Sequence, residues 1–67
     1  MRITKTDRPK FKVQKTNTSQ WCLFAYLQNG KKIIPLTNPR ACGTLAYCEA
    51  VKNTMLRDFK RHGEVSF

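Results

Sequence analysis

The chain has 67 residues, of which 13 are Lys or Arg and only four are Asp or Glu, a formal net charge of +9. That length allows one domain, with room for one sheet and one helix and no second layer in which to enclose a substrate. The charge favours polyanionic partners: nucleic acid, an anionic membrane surface or an acidic protein.

Met1 to Pro9 has no clear periodicity and ends in proline, so residues 1–9 are expected to form a flexible basic arm carrying Arg2, Lys5 and Arg8. Ile3 could still pin it to a sheet edge. Lys10 to Lys15 alternates, with Phe11 and Val13 on one side and Lys10, Lys12 and Gln14 on the other, which predicts a half-buried strand. Thr16 to Ser19 is a turn built from side chains that bond their own backbone.

The stretch QWCLFAYLQNGKKIIPL, Gln20 to Leu36, then reads as two strands joined at Asn29-Gly30, the preferred pair for a type I′ hairpin turn. A two-residue loop there pairs Gln28 with Lys31, Tyr26 with Ile33 and Phe24 with Pro35. Trp21, Leu23, Ala25, Leu27, Ile34 and Leu36 then share one face, while Cys22, Phe24, Tyr26, Ile33 and Pro35 share the other. A three-residue loop with Gly30 as a bulge would exchange the faces of the last strand. Pro35 cannot donate to a ladder, so this last strand must be an edge or end early. The Trp21–Gln28 strand is central.

A helix follows. Asn38 and Pro39 suit an N-cap and first position, and Thr44 is a later alternative because Gly43 weakens the first turn. Leu45, Cys48, Val51, Met55, Leu56 and Phe59 form an apolar stripe at helical spacing, and Gly63 is the expected residue just past the end. The expected fold class is α+β, a three-stranded antiparallel sheet with one C-terminal helix packed on one face (β-β-β-α). Residues 10–63 form the domain and 64–67 a tail. Leu23, Leu27, Ile34, Leu45, Cys48, Met55 and Phe59 should be the most buried residues.

Catalysis has little to stand on. Nucleophilic chemistry needs Cys or Ser beside a base, and His62, the only histidine, belongs to a basic helix end. Paired carboxylates and a Gly-rich phosphate loop are absent, so no catalytic residue, cofactor or small-molecule substrate is expected. Cys22, Cys42 and Cys48 lack the close C-x₂₋₄-C spacing of a usual zinc site. They read as free, mostly buried thiols in a reducing cytoplasm, a host's if the chain is viral. No run of about 18 apolar residues offers a membrane span, and no apolar h-region of a secretory signal follows the N-terminal charges.

One helix covers one face of the sheet and leaves the other open. That open face should present Phe24 and Tyr26 among Lys10, Lys12 and Lys31, aromatics and cations suited to stacking bases or lying in a groove while neutralising phosphates. With Arg2, Lys5 and Arg8 of the arm, these residues are the candidate nucleic-acid interface. The same patch would serve a protein partner or a homodimer.

The order of basic arm, aromatic strand, Asn-Gly turn with lysines, edge strand and helix resembles the small arm-type DNA-binding domains of phage and transposon tyrosine recombinases. It is similar also to the AP2 type of plant transcription factor domain. The resemblance spans about Lys10 to Arg61 and is one of layout. It implies a sheet placed in the major groove, with Lys10, Lys12, Phe24, Tyr26 and Lys31 on DNA and the arm following the backbone. A chain this short also looks like an accessory protein of a phage or mobile element, some of which act on a host protein.

Overall fold

Trp21–Asn29 forms the strand around which the molecule is assembled, and the computed structural model describes it within residues 1–67. In chain order the elements are β1 (Arg2–Thr4), a single 3₁₀ turn (Lys5–Asp7), β2 (Lys10–Lys15), β3 (Trp21–Asn29), β4 (Lys32–Pro35), β5 (Ala41–Gly43), α1 (Leu45–His62) and β6 (Glu64–Ser66). The class is α+β with antiparallel pairing and one helix, but there are six strands, not three. β2, β3, β4 and β5 form one sheet, and β1 and β6 form a separate two-stranded ribbon.

The additional strands have physical causes. β4 pairs only with Tyr26–Asn29 of the longer β3. The same edge of Trp21–Leu23 would be left without ladder partners, and β5 fills it, Cys22 opposite Cys42 and Leu23 opposite Ala41. At the chain ends, Ile3 pairs with Val65. Ile3 is completely buried against Phe11, Leu23, Ala25, Leu27 and Met55. The expected flexible arm and tail are therefore replaced by the ribbon, because one well-placed apolar side chain suffices to anchor each three-residue strand. The 3₁₀ turn that follows is closed by the Thr4 N–H donating to Asp7 Oδ2 at 2.8 Å.

The hairpin register differs from the expected one by two positions. Asn29 pairs with Lys32 and Leu27 with Ile34, so Gly30-Lys31 is the two-residue loop. Gly30 takes φ +63° and Asn29 keeps a negative φ, the pattern of a turn with glycine first rather than of Asn-Gly at the centre. A slip of two preserves parity, so every side chain stays on its expected face. The Leu36 N–H donates to the Ala25 carbonyl at 2.9 Å. By alternation, Pro35 then occupies a position whose missing N–H would have pointed away from β3.

α1 begins at the later of the two proposed starts. The Thr44 side chain accepts the Tyr47 N–H at 3.1 Å, and Gly63 closes the helix at φ +76° with its N–H on the Phe59 carbonyl. Asn38 and Pro39 do not cap it, because the segment after them is taken into β5. Lys60 and Arg61 occupy the last turn, where cations complement the helix dipole. The helix is not long and apolar enough to cross a membrane.

Leu23, Leu27, Cys48 and Met55 are buried as expected. Phe59 is half-buried, edge-on to Phe11 with ring centroids 6.4 Å apart, and Phe67 stacks on Phe11 from the chain end. Ile34 and Leu45 are each 43% exposed and drop out of the core. The helix lies against β2, β3, β5 and β6, and β4 is exposed at every residue.

The cysteines depart furthest from expectation. Cys22 and Cys42 are disulfide-bonded across the β3–β5 pair, with Cα atoms 4.1 Å apart. Only Cys48 is a free thiol, fully buried, its Sγ 3.3 Å from the Trp21 carbonyl that accepts its proton. Pairing brings together cysteines twenty residues apart, a contact that needs β5 and has no signature in their spacing. Free thiols no longer argue for a reducing compartment.

Candidate nucleic-acid interface

Alternation along the strands assigns the face turned away from α1. Lys10, Lys12 and Gln14 come from β2, Cys22, Phe24, Tyr26 and Gln28 from β3, and Ile33 and Pro35 from β4. α1 and the β1–β6 ribbon lie together on the other side, sharing the core around Ile3 and Met55. Across the ladder Lys10 stands directly opposite Tyr26, and Lys12 directly opposite Phe24. Both lysines are exposed and both rings half-buried, so each ring is reachable from solvent beside a cation. Ile33 is 68% exposed next to them.

Two polar contacts organise this face. The Tyr26 hydroxyl donates to Gln14 Oε1 at 3.3 Å, and Gln28 Nε2 donates to the Gly30 carbonyl at 3.3 Å. Arg8 ends the 3₁₀ turn in the left-handed region, at φ +47°. It borders a small hollow of about 40 Å³ with Lys10, Tyr26, Gln28 and Ile33. A broader, shallow depression of about 730 Å³ is bordered by Lys10, Lys12, Tyr26 and Ile33, and by Lys52 and Leu56 of α1 around the edge of β2.

The structure thus gathers Arg8, Lys10, Lys12, Phe24 and Tyr26, with Lys31 in the adjoining hairpin loop. It does not bring Arg2 and Lys5 to them. Arg2 lies in the ribbon and makes the molecule's one ion pair, with Glu64 at 3.5 Å, and both side chains are largely in water, so the pair contributes little. Lys5 packs its stem toward Gly63 at the end of α1. Both belong to the ribbon layer because burial of Ile3 draws their segment to the helix side. None of the lysines on the open face is paired with a carboxylate.

No protein-family model, curated protein or solved structure matches the chain. The site rests on its own geometry.

Lys52 and Leu56 are absent from the expected set. Their spacing of four residues puts them on one side of a helix, a signal that the sequence carries. What it lacks is the angle of α1 across the sheet, which decides that this side meets the edge of β2.

Proposed function

We propose that this protein binds nucleic acid, DNA in the first place, through the open face of its main sheet, and that it has no catalytic activity of its own. The observation that carries this reading is the register: a lysine directly opposite each of two solvent-reachable aromatics, on the side that the helix and ribbon leave uncovered. The lysines supply counterion release at phosphates, and the rings supply apolar contact with bases. Arg8 and Lys31 extend the positive field at the hairpin end. The likeness in layout to arm-type recombinase domains supports the same reading, with β5 and the ribbon as additions to that layout. A phage or mobile-element accessory role in the cytoplasm goes with it, and the Cys22–Cys42 bond is the feature that pulls toward an oxidising compartment.

A second reading is favoured by β4. Ile33 and Ile34 are 68% and 43% exposed on an edge strand, a surface suited to a host protein or a second copy of the chain.

Fluorescence anisotropy with a labelled oligonucleotide over a salt series separates the two. On the nucleic-acid reading, affinity falls steeply with salt, and Lys12→Gln lowers the slope of log K against log salt by about one unit. Absence of binding by the wild-type protein at low salt would reject nucleic acid in favour of a protein partner.

A further inference from the structure

Phe24 and Tyr26 are two residues apart on one face of β3, and both rings are reachable from solvent. Within a duplex the bases of a strand follow one another at about 3.4 Å, so each base has its faces covered by its neighbours. A base can lie on one of these rings only if that face is uncovered. A paired, stacked duplex does not permit that, and an extended single strand does.

The rest of the face agrees. Asn and Gln side chains are the groups that pair with adenine edges in the major groove. The two glutamines of this face each have one of the two amide atoms that a bidentate contact needs engaged within the molecule, Gln14 Oε1 by the Tyr26 hydroxyl and Gln28 Nε2 by the Gly30 carbonyl. The first contact also sets the ring. Tyr26 stands opposite Lys10, and its hydroxyl reaches Gln14, four residues farther along β2. The side chain must therefore lie down along the sheet instead of standing up from it. A ring held in that way is a platform and not a wedge. Across the ladder the lysines stand one to a ring, Lys10 by Tyr26 and Lys12 by Phe24.

We infer that the open face takes single-stranded nucleic acid in preference to duplex, with unpaired bases on Phe24 and Tyr26 and phosphates beside Lys12 and Lys10. Sequence dependence is weak, because every base offers a face to stack. The inference rests on the nucleic-acid reading above and narrows it to a class of ligand.

The test uses the full chain and one mixed-sequence, fluorescein-labelled oligonucleotide, free and annealed to its complement, at a single moderate salt concentration. The free strand should bind about tenfold more tightly than the duplex or better, the order expected from stacked bases. Tyr26→Ala should weaken the free strand about tenfold and the duplex much less, whereas Tyr26→Phe, which keeps the ring but loses its bond to Gln14, should bind the free strand more tightly than Tyr26→Ala does. Circular dichroism establishes that each variant is folded. If Tyr26→Ala does not fold, the comparison of the two ligands on wild-type protein still decides. A duplex bound as tightly as the free strand, or Tyr26→Ala weakening both alike, overturns the single-strand inference alone. Binding of neither ligand rejects the nucleic-acid reading and this inference with it.

Discussion

Ile3 sits among Arg2, Lys5 and Arg8, yet it has no exposed surface and touches the residues that make up the core. Truncating it leaves a cavity that three-residue strands can hardly close. Ile3→Ala should cost about 2–5 kcal/mol, against a net stability of about 3–5 kcal/mol for domains of this size. Ile33→Ala removes a similar side chain from a site that is 68% exposed and should change stability by no more than about 0.5 kcal/mol. Urea unfolding of the two variants side by side checks this, and equal losses would mean that β1 is not part of the cooperative unit. The contrast also marks where single residues were legible. Leu23, Leu27, Cys48 and Met55 belong to runs whose period reveals the buried side. Ile3 stands alone in a polar segment, where no period exists to read. Ile34 and Leu45 have the right period and still reach water, because periodicity gives a direction and not the extent of the layer above it.

Among the elements, strands with alternation and a helix with both caps were readable, and those held together only by tertiary pairing were not. Lys10–Lys15 and the two hairpin strands kept their faces despite the altered register, since parity survives a slip of two. β5 has three residues, Ala-Cys-Gly, with no strand propensity to speak of. It exists because β3 outruns β4 and because Cys42 is bonded to Cys22. Reduction should therefore weaken this corner first. Closing a loop of this length is worth about 2–4 kcal/mol, so the thermal midpoint should fall markedly in excess reductant, and alkylation should then label Cys22 and Cys42. Under native, non-reducing conditions no thiol should react, because Cys48 is completely buried. An unchanged midpoint would mean that β5 pairs just as well without the bond. Thr44 offers a smaller test at the same junction. Thr44→Ala removes the acceptor for the Tyr47 N–H and should cost about 1 kcal/mol by chemical denaturation.

At the scale of the whole molecule, the division into one covered and one open sheet face was legible, because a single amphipathic helix has only one side of a sheet to occupy. The composition of the covering layer was not, since the ribbon joins residues from opposite ends of the chain and no local pattern records a pairing at that separation. That pairing has a consequence for connectivity. The Phe67 N–H donates to the Met1 carbonyl at 2.7 Å, so the first and last residues are already neighbours in an antiparallel ladder. A short peptide link between Phe67 and Met1 would close these 67 residues into a ring. Joining Phe67 to Met1 through a few flexible residues would make the ribbon an ordinary hairpin, and opening the circle between Gly30 and Lys31 would place new ends in the solvent-exposed loop beside the open face. The cyclic form should melt at a higher temperature than the linear one, because closure removes conformational freedom chiefly from the unfolded chain. The permuted form should keep the same circular dichroism spectrum. A cyclic protein that melts no higher would indicate that the ribbon already behaves as a closed end.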